Sequence, residues 1–195
     1  MKAVLKRLII VLSFIFIAFF YIGGLKAEDN MKVISIELKN GKVLIETRPD
    51  IAPLHVERIM QLVKNKEYDG VVFHRVIEGF MAQTGDVQFG NSNNDSFNLS
   101  RAGTGGSSMP DIKAEFSKVN HGRGSVSMAR TQEPDSANSQ FFICFNDCSH
   151  LDGQYSLWGQ VIEGMEFVDQ IKKGSGPGGS VSNPDKIIKM EILKK

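Results

Sequence analysis

The chain has 195 residues, enough for one domain with a sizeable core, and 42% hydrophobic with 23% charged residues is a globular composition, neither disordered nor fibrous. Its 23 Lys and Arg nearly balance 22 Asp and Glu, for a net charge of +1, and the basic residues are interspersed with acidic ones. No basic stripe with aromatic interleaving appears, so no nucleic-acid partner is expected.

Lys2, Lys6 and Arg7 precede an almost unbroken apolar run from Leu8 to Leu25. Together these read as the charged and hydrophobic regions of a secretory signal. The run approaches the ~20 residues that cross a bilayer, so two fates stay open. One is cleavage after Ala27, with Gly23 and Gly24 as small neighbours and Leu25 a poor fit three places before the cut; the other is retention as a membrane anchor. Residues 1–27 are therefore read as signal peptide or anchor and 31–195 as the folded domain. The expected location is the periplasm, free or tethered to the inner membrane, with membrane contact only through an uncleaved leader. Cleavage would remove four of the 23 basic residues and none of the 22 acidic ones, so that 19 face 22 and the net charge becomes −3.

Lys32 to Leu38 alternates, Asn40-Gly41 follows, and Val43 to Glu46 resumes an apolar strand pattern. That is the signature of a hairpin. Asp50-Ile51-Ala52-Pro53 reads as a helix start, with Leu54, Ile59, Leu62 and Val63 as the helical stripe down to about Asn65. His55, within it, is assigned no role. Next comes Phe73-His74-Arg75-Val76-Ile77-Glu78-Gly79-Phe80-Met81-Ala82-Gln83-Thr84-Gly85-Asp86. Read as one strand, it puts Arg75, Met81 and Gln83 on one face, and a bulge at Gly79 turns Phe80 to the same side. The result is an apolar floor with a few fixed hydrogen-bonding groups, which is how a binding groove is built.

This stretch holds no nucleophile beside a base, no carboxylate pair and no set of metal ligands, so any reaction here should need none of them. Rotation about an Xaa-Pro bond is such a reaction, because its barrier of roughly 18–20 kcal/mol is lost amide resonance. Arg75 is the candidate catalyst: it stays charged at any working pH and can donate to the imide nitrogen as that atom becomes pyramidal. The fourteen residues closely resemble the signature F-H-R-x-I-x-G-F-x-x-Q-x-G-D of cyclophilin-type peptidyl-prolyl cis-trans isomerases. His74, inside it, is read as a buried structural residue, because the proposed reaction moves no proton.

Val87 to Pro110, rich in Asn, Ser and Gly, reads as a long loop. The resemblance makes it the glycine-rich loop beside the groove, with Gly103 bordering substrate. Gly124 to Arg130 and Ser136 to Cys144 read as strands, Gln140 and Phe142 sharing a face and Phe141 and Ile143 facing the core. They are similar to the family motifs S-M-A-N and N-x-S-Q-F-F-I, which places Ala129, Gln140 and Phe142 at the groove. Arg130 stands where eukaryotic members have asparagine, and keeps its place as a backbone contact. His150 to Gly159 resembles W-L-D-G-x-H-x-x-F-G. Leu151 keeps the family residue, whereas His150 replaces the tryptophan and Tyr155 the pocket histidine; Tyr155 keeps an aromatic face with a polar tip. Since that tryptophan contributes to binding cyclosporin, weak inhibition is expected. Trp158 is read as core.

Cys144 and Cys148 leave a disulfide open. An extended strand would hold their Cα atoms roughly 13 Å apart, beyond the ~7 Å limit for a bridge, unless a turn at Asn146-Asp147 closes the gap. A metal on Cys144, Cys148 and His150 fits no common zinc spacing. Gly164-Met165 opens a short helix through Ile171, Gly174 to Pro184 is a loop, and Lys186 to Leu193 reads as a closing strand.

About eight short strands and two helices fit a mainly-β fold, and the resemblance implies a closed eight-stranded antiparallel barrel capped by two helices. The implied function is isomerisation of Xaa-Pro bonds in exported, unfolded or extended polypeptides. Arg75 would be the catalyst, Phe80, Met81, Phe142 and Leu151 the proline pocket with Tyr155 at its edge, and Gln83 and Gln140 partners for the substrate backbone. No metal, nucleotide or redox cofactor is implied, and a monomer is expected. A rival reading is a holdase or adaptor that grips such segments without turning them over; a hydrolase lacks any supporting motif.

Overall fold

A computed structural model describes residues 31–194; the leader, and with it the choice between signal and anchor, lies outside the described residues. Eight antiparallel strands form one sheet: β1 (Val33–Leu38), β2 (Gly41–Thr47), β3 (Arg75–Ile77), β4 (Met81–Thr84), β5 (Ser125–Met128), β6 (Phe141–Cys144), β7 (Leu157–Glu163) and β8 (Lys189–Ile192). Their order across the sheet is β3-β4-β6-β5-β7-β2-β1-β8. Two α-helices accompany them among the described residues, α1 (Pro53–Lys64) and α2 (Met165–Asp169), with a 3-10 turn at Ser149–Leu151.

The closed barrel is not what forms. The sheet curls through 203° and stays open as a half-barrel, because its end strands β3 and β8 are not paired. The loop before β8 fills the gap instead, through isolated bridges Val72↔Lys186 and Arg75↔Ser180. Gly176, Gly178, Gly179 and Pro184 interrupt the alternation that a ninth strand would need.

The β1–β2 hairpin turns at Lys39-Asn40 and pairs Val33 through Leu38 with Glu46 back to Gly41. Its inward residues Ile34, Ile36, Val43 and Ile45 are fully buried and meet Val56, Ile59, Leu62 and Val63 of α1 in the main core. Trp158 lies in that core, edge-on to Phe141 at 5.4 Å. The start of α1 is capped from a distance. Ala52 at the N-cap offers no side-chain bond, and Asp50 pairs with Arg48 at 2.7 Å. The carboxylate of Glu115 instead accepts the N–H groups of Leu54 (3.2 Å) and His55 (3.1 Å) and lies 2.6 Å from His55 Nδ1.

Strands β4 and β6 are buried on both faces. Ala82, Phe141 and Ile143 face the main core, while Met81, Phe142 and Cys144 build a second cluster with Cys148 and Leu151 on the outside of the sheet. Both cysteines are free and buried. The chain turns between them, as the alternative geometry required, and burial pushes both thiols up from their ordinary range.

His74 is 8% exposed, and burial drives its imidazole from 6.5 to about 4, against the pull of the Asp86 charge. The folded state therefore resists a proton that the unfolded chain accepts, and stability is full above about pH 6.5 and lost as pH falls towards 4. At about 1.4 kcal/mol per pH unit, the loss is about 3 kcal/mol. Urea denaturation at pH 7 and pH 4 checks this: the fall should be about 3 kcal/mol smaller for His74→Asn than for the wild type, and an equal fall in both would contradict it.

Candidate active site

The stretch around Arg75 is a hairpin and not a single bulged strand. β3 and β4 pair Arg75↔Gln83, Val76↔Ala82 and Ile77↔Met81. The turn between them closes with the Phe80 N–H donating to Ile77 O at 3.0 Å. Gly79, at φ 74°, adopts the left-handed conformation that this turn needs. Arg75 and Gln83 thus face each other across two strands, and the row continues through Gln83↔Phe142 and Ser127↔Phe142. Arg75, Gln83, Phe142 and Ser127 stand in one line across the outer face of the half-barrel.

That line passes beside a slot of about 160 Å³ lined by Arg75, Phe80, Met81, Gln83, Ala129, Arg130, Phe142, Leu151 and Tyr155. It is smaller than the roughly 300–1,000 Å³ of a drug-sized site, so it admits one compact group. Met81, Phe142 and Leu151 form its buried floor, with Phe80, Ala129 and Tyr155 packed against them. The Phe142 and Tyr155 rings meet edge to face at 5.8 Å.

The guanidinium of Arg75 is aimed from two sides. Its Nη1 donates to Gln83 Oε1 at 3.1 Å and its Nε to the carbonyl of Gly178 at 3.1 Å, while Met81 Sδ lies 4.0 Å from Nη1. No carboxylate pairs with it among the described residues. Gln83 can accept from Arg75 because its own amide is fixed: Nε2 donates to Gln140 Oε1 at 3.0 Å. Gln140 Nε2 in turn donates to the carbonyls of Gly103 (3.0 Å) and Gly105 (2.7 Å).

The chain of bonds ends on Asp86, which sequence reasoning placed in the signature without giving it a task. Its fully buried carboxylate accepts four backbone N–H groups, from Gln88, Phe89, Gly103 and Gly105, at 2.7–3.1 Å. A side chain at Gly103 would come within 2.9 Å of the His74 ring, and one at Gly105 within 2.6 Å of Asp86 Oδ1. Glycine is needed at both for the loop to reach the carboxylate. The signal was in the sequence as the acid that closes the signature and the glycines in the long loop that follows it.

A second cavity of about 480 Å³ adjoins the slot and shares Gln83, Ala129 and Arg130 with it. Gly103 and Gln140 line this larger space and not the slot. Asn138 and Asp111, for which the sequence suggested nothing, line it as well. Asn138 Oδ1 accepts from Ser107 and its Nδ2 donates to Asp111 at 2.9 Å.

Arg130 contacts its surroundings through its side chain. The guanidinium donates to the carbonyls of Thr131, Gln132 and Gln154 and lies 4.6 Å from the Tyr155 ring centroid. It therefore braces the Tyr155 wall. His150 is exposed and absent from the slot's lining; its ring meets Phe80 at 5.2 Å from outside.

A family model described as cyclophilin type peptidyl-prolyl cis-trans isomerase matches residues 33–192. A probable peptidyl-prolyl cis-trans isomerase of Brucella abortus is 56% identical over 167 residues, 85% of each chain. A peptidyl-prolyl cis-trans isomerase of Acinetobacter baylyi is 37% identical over 175 residues, 86% of this chain and 82% of that one. Among solved structures, a cyclophilin from Hirschia baltica is similar with a TM-score of 0.67 at 26% identity, over 82% of this chain and 73% of its own. A Cryptosporidium parvum cyclophilin-type isomerase shares the fold with a TM-score of 0.71 at 23% identity, over 85% and 99%. The chain belongs to the cyclophilin-type peptidyl-prolyl cis-trans isomerases and carries that isomerase activity.

Proposed function

We propose that Arg75 is the electrostatic catalyst, and that the slot of Phe80, Met81, Phe142 and Leu151, with Tyr155 at its edge, grips the proline ring. The observation that carries this is the state of the guanidinium. Gln83 and Gly178 hold Nη1 and Nε, while Nη2 has no hydrogen-bond partner among the described residues and no acid neutralises the charge. A pre-aimed donor beside an apolar slot suits an imide nitrogen that gains a lone pair only as it twists. One charge-assisted bond contributes roughly 1.5–3 kcal/mol, or about one to two powers of ten in rate. Holding the ring in a water-poor slot that favours the less polar twisted amide supplies the rest.

Gln83 and Gln140 would also meet the substrate backbone, and the larger cavity gives the residues next to proline a place. The slot opens at the surface, which suits unfolded or extended proline-containing chains. The charged and apolar leader at 1–27 supports clients outside the cytoplasm and a periplasmic site of action, with folding assistance as the role. The domain acts as a monomer in this reading, since one chain supplies every slot residue.

A cis-to-trans assay on short Xaa-Pro peptides tests the catalyst. For Arg75→Ala, kcat/KM should fall at least about tenfold with little change in thermal stability; turnover equal to the wild type would remove Arg75 from the mechanism. Gln83→Leu keeps the charge but frees it to wander. Its kcat should drop by about tenfold or less, between wild type and Arg75→Ala, and a kcat as high as the wild type's would mean that Gln83 does not aim the guanidinium. With His150 against Phe80 where the family has tryptophan, cyclosporin should inhibit weakly, and inhibition at about nanomolar concentration would overturn that expectation.

A further inference from the structure

His121 lies outside the slot and is 1% exposed, yet it takes part in four hydrogen bonds with three residues. Its backbone N–H donates to Asp152 Oδ1 at 2.7 Å, and its ring Nδ1 lies 2.9 Å from the same oxygen. Its Nε2 lies 2.9 Å from Ser127 Oγ, and its carbonyl accepts the Cys148 N–H at 2.7 Å. Asn120 Nδ2 donates to the second oxygen of Asp152 at 3.0 Å. The backbone and ring N–H groups of His121 hold the Asp152 carboxyl below its usual range, so it is ionised and can only accept. Nδ1 therefore carries a ring proton, and in the neutral imidazole Nε2 accepts the hydroxyl proton of Ser127.

Carboxylate, imidazole and hydroxyl stand here in the order of a hydrolytic triad. Access excludes that chemistry: Ser127 is fully buried within β5, between β6 and β7, and no acyl group can reach its Oγ. What the array does is join three parts of the slot. Cys148 and Asp152 flank the 3-10 turn that carries Leu151 and leads into Tyr155. Ser127 is the cross-strand partner of Phe142. One buried imidazole thus ties the Leu151–Tyr155 wall to the strand behind the Phe142 wall.

We propose that His121 and Asp152 are positioning residues of the isomerase, which fix the gap between Leu151 and Tyr155 on one side and Phe142 on the other. They touch no substrate. The inference rests on the slot being the proline pocket, and its consequence falls on how firmly the ring is held, since Arg75 is aimed by a separate set of bonds.

The test measures kcat and KM separately for Asp152→Ala and Asp152→Asn, with thermal unfolding of each. Asparagine keeps an oxygen that accepts both N–H groups of His121; alanine removes it. Asp152→Ala should raise KM about tenfold while kcat stays within about threefold, and Asp152→Asn should return both to within about threefold of the wild type. In long-range 15N–1H spectra, His121 should be a single Nδ1-protonated tautomer in the wild type and in Asp152→Asn. A folded Asp152→Ala with unchanged KM, or an Asp152→Asn as damaged as the alanine variant, would overturn the proposal. Ser127→Ala cuts the relay at its other end and must raise KM in the same sense; an unchanged KM there overturns it too. A folded Phe142→Ala with unchanged KM would instead remove the pocket reading beneath it, an outcome the same assay separates.

Discussion

The hydrogen bond from Arg75 to Gln83 is the constraint on which the site depends. A guanidinium beside an apolar slot, with no carboxylate to hold it, has every reason to swing into water, where solvation is better. Gln83 prevents this, and can do so only because Gln140 holds its amide with the oxygen turned towards Arg75. Gln140 is held by the carbonyls of the glycine-rich loop, and that loop by four N–H bonds to Asp86. Each link is neutral or carries its own satisfied charge, so the cation stays uncompensated at its free end. A carboxylate partner would fix Arg75 more strongly but would cancel the field that a twisting imide feels.

The fold supplies this arrangement by burying β4 and β6 on both faces. Inward residues such as Ala82 and Ile143 belong to the main core, and outward ones, Met81 and Phe142, to the second cluster. Side chains locked in this way make a floor that does not collapse when empty. The half-barrel's open edge also contributes, since the loop that fills it brings the Gly178 carbonyl to Arg75 Nε. A closed barrel pairing β3 with β8 would have left that second anchor out.

Much of this was legible in the chain itself. The hairpin of β1 and β2, the alternation of β6 and the α1 stripe of Ile59, Leu62 and Val63 follow from local period, whereas Leu54, read into that stripe, is exposed and its neighbour His55 is buried; the parity of Phe141 and Phe142 assigned one to the core and one to the slot. Other features required knowledge of the path. Gly79 marked a break in the strand, but whether it bulges or reverses the chain depends on what pairs beyond it; reversal places Arg75 opposite Gln83, a contact that no single-strand register contains. Barrel closure failed for a reason the glycines and Pro184 could have suggested. Glu115 capping α1 and His121 joining two walls involve partners remote along the chain, which no short-range pattern reveals. His150 was assigned to the groove through the residue it replaces, and its smaller ring reaches only the outer side of Phe80.

A structure of the protein with a short Xaa-Pro peptide bound tests the central claim most directly. The account requires the proline ring among Phe80, Met81, Phe142 and Leu151, with Arg75 still bonded to Gln83 and its Nη2 within about 3.5 Å of the imide nitrogen. A ring seated elsewhere, or a guanidinium turned away from the imide towards an acid, would contradict it.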